Sequence, residues 1–206
     1  SAVVVINAHA GIGVNTRRVF AEAGKAHLAR MIVVNKMDEA NIDFPALIDD
    51  LRETFGNSCV LSNVPLGSGT EFTGVASVLH PPADASRALY DLDEAHTSLV
   101  EAIVQVDEGA LERYLGGEEP TDEQVAELMK KSLAEETITP IVCCSAKTGV
   151  GLAELLDAIV MCCPPPDGIR HTATKDGQEI DVKADPQGPL VAQVFGPVNA
   201  GIGLAL

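Results

Sequence analysis

Residues 3–6, 31–34 and 141–144 form three short apolar runs, each bounded by turn or polar residues. They constrain the fold more than any other feature. Each is too short for an isolated helix and lacks a polar face, so each reads as a buried strand of a parallel sheet covered on both sides. Between the first two, residues 15–28 place Val19, Phe20, Ala23, Ala26 and Leu28 at roughly helical spacing. The opening of the chain is therefore a strand, a right-handed crossover helix and a second strand. After the third run, Leu152, Leu155, Leu156, Ile159 and Val160 make a helical stripe within residues 149–162, ended by Pro164, Pro165 and Pro166. Only 7 of the 206 residues are Phe or Tyr and none is Trp, so the core must be built from Val, Ile, Leu and Ala. The fold class is α/β.

Residues 39–140 are too many for a connecting loop and must carry their own elements. A helix over 44–55 is followed by β-like runs at 59–64 and 72–79. Then the charge changes. Residues 91–136 hold 14 acids against Arg113, Lys130 and Lys131, which supplies −11 of the chain's net −16. Leu92, Ala95, Leu99, Ile103 and Val106 repeat at helical spacing, and Thr121 with Asp122 and Glu123 caps a further helix through Leu133. We read this stretch as an inserted α+β subdomain with an acidic outer face. Residues 164–189 have linker composition, rich in Pro, Gly, Asp and Lys. The last apolar run, 189–195, reads as a lone strand opening a neighbouring domain.

Several function classes are disfavoured by the same counts. With 14 Lys plus Arg against 30 Asp plus Glu, no broad basic surface is available to hold a nucleic-acid duplex. No apolar run reaches the roughly 18 to 20 residues that span a bilayer, and no basic leader opens the chain, so a cytoplasmic protein is expected. Cys59, the pair Cys143 and Cys144, and the pair Cys162 and Cys163 lack chelating spacing and read as reduced, mostly buried thiols. His9, His27, His80, His96 and His171 show neither metal nor triad spacing. No catalytic residue and no metal site is predicted within the chain.

Chemistry concentrates where two strands end. After the second comes Asn35-Lys36-Met37-Asp38, and open parallel sheets bind ligands outside the carboxyl ends of their strands. An Asp carboxylate accepts side-by-side hydrogen bonds from a ring N–H and an exocyclic amino group, which guanine offers and adenine does not. An Asn amide can serve another purine edge, and a Lys stem can lie over the ring. The third strand ends in Ser145-Ala146-Lys147, where small residues let a backbone N–H approach a purine carbonyl. Blander readings remain for each: a polar loop for the first, and for the second a helix-entry turn capped by Ser145 or Thr148. A dinucleotide site built on Gly11, Gly13 and Asp38 is the rival, but Thr16 stands where its third glycine belongs and Asp38 lies well past the strand end.

Taken together, these motifs resemble those of the translational GTPases, and within them elongation factor G. That family is known for an insertion, the G-prime subdomain, between its two base-reading motifs, here about 110 positions apart. Glu71-Phe72-Thr73-Gly74-Val75, Tyr114-Leu115-Gly116-Gly117-Glu118-Glu119, Ile138-Thr139-Pro140 and Leu155-Leu156-Asp157-Ala158-Ile159 also look like that family's. The resemblance implies a partial P-loop GTPase-type sheet at 1–58 and 137–165, a G-prime subdomain at 59–136, a linker at 166–188 and the start of a β-barrel domain at 189–206. It implies GTP or GDP as ligand, read by Asn35, Lys36, Asp38, Ser145, Ala146 and Lys147, with Mg²⁺ in the parent protein. It further implies action on the ribosome in translocation or recycling, with the acidic insertion meeting the basic ribosomal stalk protein through Asp91, Glu94, Glu101, Asp107 and Glu108.

Departures accompany the resemblance. The 206 residues contain no Gly-x-x-x-x-Gly-Lys-Ser/Thr phosphate loop, and no Asp-x-x-Gly precedes the base-reading motifs, the one at 185–188 falling in the linker, so an internal fragment that does not itself hydrolyse GTP is expected. Glu39 stands where the family usually has Arg, and Lys147 is commoner in small GTPases. The alternative function is that of a non-hydrolysing paralogue, an acidic protein-interaction module.

Overall fold

A computed structural model describes residues 1–163, 171–175, 177–182, 185 and 187–188. The chain divides into two units, 1–164 and 165–206. In the first, β1 (Ala2–Asn7), α1 (Val14–Lys25), β2 (Arg30–Asn35) and α2 (Phe44–Phe55) run in the expected order. They are followed by β3 (Cys59–Leu61), β4 (Asn63–Leu66), β5 (Gly74–Ser77), α3 (Leu92–Val104), α4 (Glu108–Leu115), α5 (Asp122–Ala134), β6 (Thr139–Cys143) and α6 (Leu152–Cys162). The second unit contributes a hairpin, β7 (His171–Lys175) with β8 (Gln178–Val182).

The main sheet has four parallel strands in the order β1-β2-β6-β3. Its centre behaves as the sequence demands: Met31, Ile32, Val33 and Val34 of β2 and Ile141, Val142 and Cys143 of β6 are all fully buried. The edge differs. Val4 and Ile6 of β1 are buried, while Val3 and Val5 are 42% and 58% exposed, so β1 covers one face only. An all-apolar strand was expected to bury both faces, but burial depends on what is packed above it, and that the composition of the strand does not encode.

Two boundaries also move. The apolar run at 59–64, grouped above with the insertion, is two strands divided at Ser62: β3 pairs parallel with β6, with Leu61 opposite Ile141, and belongs to the main sheet. Only β4 leaves it, to pair antiparallel with β5. The stretch at 166–188, expected as linker, contains the β7–β8 hairpin, turned at Gly177 with φ +81°. Its polar residues hid the strand alternation. The run at 189–195 lies outside the described residues.

Helices α2 to α5 start where side-chain acceptors meet free backbone donors. Asp43, Asp91 and Asp107 accept from the N–H groups of Ala46, Glu94 and Ala110 at 3.2, 3.0 and 3.1 Å. Thr121 and Gln124 form a reciprocal capping box on α5. Helix α4, which shows little periodicity in sequence, is one such capped segment, two turns long. Leu99 and Ile103 of α3 and Met129 and Leu133 of α5 join the same buried cluster as β2, β6 and α2, and α3 packs on β3. The insertion therefore shares the core of the sheet. Ile103→Ala, at a fully buried position, should cost about 3 kcal/mol. Urea unfolding followed by circular dichroism should show the whole α/β unit shifting in one transition, and an early, separate loss of helix would contradict the shared core.

Candidate functional site

The pairing of β2 with β6 sets Ile32, Val33 and Val34 opposite Ile141, Val142 and Cys143. The residues following each strand therefore emerge side by side. Beyond the strands the two loops stay clipped together, with Cys144 N–H donating to Val34 O at 2.9 Å and Met37 N–H donating to Cys144 O at 3.3 Å. Met37 is fully buried and anchors its loop in the core while its neighbours face outward. Lys36 adopts φ +67°, which reverses the chain immediately after Asn35.

The second loop is a closed turn. Ser145 N–H donates to Val150 O at 2.8 Å, Gly149 N–H donates to Ser145 O at 2.9 Å, and Ser145 Oγ accepts from Thr148 N–H at 3.2 Å. Neither Ser145 nor Thr148 caps α6, as the bland reading allowed. The cap residue is Gly151, at φ +80°, where a Cβ would come within 2.6 Å of Cys143 O. Only glycine lets the helix start so close to the end of β6.

The six residues selected from sequence fall into two bonded groups, Asp38 with Ser145 and Lys147, and Asn35 with Lys36 and Ala146. Ser145 Oγ donates to Asp38 Oδ1 at 2.5 Å, and Lys147 Nζ lies 3.5 Å from Asp38 Oδ2. Asn35 Oδ1 accepts from Lys36 N–H at 2.8 Å, from Ala146 N–H at 2.9 Å and from the Cys144 thiol at 3.8 Å. Ala146 N–H, the donor expected to meet a purine carbonyl, is thus directed at Asn35. Lys36 stands apart through its side chain: Nζ pairs with Glu39 Oε1 at 3.2 Å, so the family-atypical Glu39 holds the amine of the very Lys whose stem was expected over a ring. Both ends of that pair are exposed, and it holds the stem only weakly.

Electrostatics keep Asp38 ionised. The hydrogen bond from Ser145 is the largest influence lowering its pKa from 3.8; partial burial opposes it, and its own backbone N–H and Lys147 add to the lowering. Cys59, Cys143 and Cys144 are the reverse case, since burial pushes Cys59 up to about 11 and raises Cys143 and Cys144, so none of these three is activated as a nucleophile. Around Gly11 and Gly13 the chain simply turns: Asn7 Oδ1 accepts from His9 and Ala10 N–H, and Gly13 precedes α1. Sequence reading missed Asn63, a buried amide hydrogen-bonded to the backbone of Cys143, because a lone Asn in an apolar run carries no pattern.

Two polar loops joined at the carboxyl edge of a parallel sheet stand where open α/β domains of the nucleotide-binding kind take their ligands. Residues 1–165 match the family described as the Elongation factor Tu GTP binding domain, and the chain belongs to that family. It is a GTP-binding domain of the translational GTPases. The crystal structure of ttk003000868 from Thermus thermophilus is similar, with 31% sequence identity and a TM-score of 0.72 over 82% of this chain. The chain spans 27% of that protein. Among the described residues, no helix is long and apolar enough to cross a membrane.

Because the fold depresses the pKa of Asp38, the carboxylate's contribution to stability is complete above its ordinary value near 3.8 and is lost as pH falls through the lower folded value. Ser145→Ala removes the main cause. Carboxyl ¹³C NMR titration should find Asp38 titrating below 3.8 in the unaltered protein and moving upward in the variant; an unmoved titration would mean that Ser145 does not hold it.

Proposed function

We propose that the two loops read guanine. The observation that carries this is the Asp38 carboxylate, ionised and oriented by Ser145 and Lys147 from a loop 107 positions away in sequence. An ionised, fixed carboxylate accepts from the guanine N1–H and 2-amino group together, and it repels adenine, which presents a lone pair at N1. Ala146 N–H, which donates to Asn35 Oδ1, would be shared with or transferred to the O6 carbonyl. Asn35 would serve the other purine edge, while the Lys36 and Lys147 stems flank the ring. The exposed Glu39 pairs with the Lys36 amine too weakly to fix that stem, which stays free to settle over the ring.

In this reading the chain is the base-reading part of an elongation factor G-like GTPase that binds GTP or GDP, with Mg²⁺ and the phosphates held by residues of the longer protein. That protein would hydrolyse GTP on the ribosome, in the cytoplasm, during translocation or recycling. The two loops hold the base without the phosphates, whose charge-assisted bonds are the strongest in such sites. Binding of GDP to this chain should accordingly be weak, with a Kd around 1 mM or about −4 kcal/mol.

The acidic insertion would meet a basic partner such as the ribosomal stalk protein, but its acids are not equivalent. Asp91 and Asp107 cap helices, and Glu94 accepts from Tyr90 Oη at 2.7 Å, so reversing them would disturb folding. Glu101 and Glu112 are exposed and available to a partner. Charge attraction of this kind acts chiefly on the association rate and fades with salt.

Two measurements test these readings. NMR titration with GDP should shift the amides of residues 35–38 and 145–147, ADP should not, and Asp38→Asn should exchange the preference for guanine for xanthosine diphosphate, whose ring carbonyl suits the Asn donor. Equal responses to GDP and ADP would defeat guanine recognition. For the insertion, Glu101→Lys with Glu112→Lys should slow stalk-protein association at low ionic strength; an unchanged rate would remove this face from the interaction.

A further inference from the structure

Residues 63–69, at the start of the insertion, reach both base-reading loops. Where β3 ends, β6 continues past its last strand partner, and the next backbone groups on that side, the N–H and C=O of Cys143, would be left bare. Asn63 covers them. Its Oδ1 accepts from Cys143 N–H at 2.7 Å and its Nδ2 donates to Cys143 O at 3.3 Å, with the side chain almost fully buried at 3% exposure. The carboxamide presents one acceptor and one donor, as a backbone unit does, and so extends the ladder by one rung. On the opposite edge of β6, the neighbouring residue Cys144 bonds Val34 and Met37. The end of β6 is therefore clamped from both sides, two residues before Ser145. A few residues further on, Gly69 N–H donates to Met37 O at 2.9 Å. The turn that brings it there is fixed by Gly67, at φ +82°, where a Cβ would fall 2.4 Å from Glu71 O. One short segment thus braces the Ser145 turn and the Asp38 loop together.

We infer that Asn63 is a positioning residue for base recognition, holding Cys143 so that Ser145 stays aligned with Asp38. The inference rests on the guanine reading proposed above. Asn63 touches no ligand and acts through the register of β6. Asn63→Leu keeps the branching at Cγ, adds bulk, and leaves both Cys143 groups unpaired in the core, which favours a local shift of the β6 end over a rigid loss. Asn63→Ser is the milder companion, because the space it opens admits water to the same groups.

The experiment uses this chain, GDP and inosine diphosphate, which lacks only the 2-amino group that Asp38 would bind. Ile48→Val, on α2 and outside both loops, serves as a destabilised control. In Asn63→Leu, amide exchange at Met37, Ser145 and Gly149 should rise about tenfold beyond the control. The preference for GDP over inosine diphosphate should shrink about threefold, a ratio that general destabilisation leaves alone, with Asn63→Ser changing in the same direction by less. If the unaltered chain prefers GDP and the variants keep that preference, or if their exchange follows the control, the role of Asn63 is overturned while the guanine reading stands. If the unaltered chain shows no preference, the guanine reading falls and this inference with it.

Discussion

Everything at the carboxyl edge depends on three residue pairs between β2 and β6, Ile32 with Ile141, Val33 with Val142 and Val34 with Cys143. Roughly a hundred residues separate the strands, and closing a flexible loop of that length costs about 4 kcal/mol in its length-dependent part alone. Buried aliphatic side chains on both strands offset it, at about 25 cal/mol per Å² removed from water. The insertion helps instead of merely looping out. By sharing a core with the sheet through α3 and α5, it restricts where β6 can return. The two polar loops meet because the apolar strands beneath them leave no other register that buries the same side chains.

Acidity in this chain is of several physical kinds. Some of the −16 is structural, committed to helix starts by Asp43, Asp91 and Asp107. Asp38 is different, because its charge is held by a partner from the far loop and directed at the sheet edge. Glu101 and Glu112 are exposed and cap no helix. A count of acids treats these alike, and the distinction comes from which hydrogen bonds each carboxylate accepts.

Much of this was legible beforehand. Strands β1, β2 and β6, the crossover helix, α2, the Thr121 cap and the two polar loops at the strand ends follow from short-range rules of apolar run length, helical spacing and capping chemistry. What escaped depends on packing. Nothing local distinguishes Cys59–Leu61 in the parallel sheet from Asn63–Leu66 outside it, since the division at Ser62 is set by where β6 lies. The two-turn α4 is too brief to show a period, and the alternation in the β7–β8 hairpin is masked by polar residues. At the site, residue identities were readable, whereas the engagement of Ala146 N–H by Asn35 and the support from Asn63 emerge only when distant segments are placed together.

Lys36 illustrates how such a loop limits its own sequence. A non-glycine residue in the left-handed region costs on the order of 1 kcal/mol, and β-branched side chains are the least able to bear it. Glycine would relieve the backbone but would offer no stem to lie over a base. A long unbranched side chain endures the conformation and keeps a stem beside the loop. If the loops read guanine as proposed, position 36 is one where the residue best for folding and the residue best for binding differ, and Lys meets both demands.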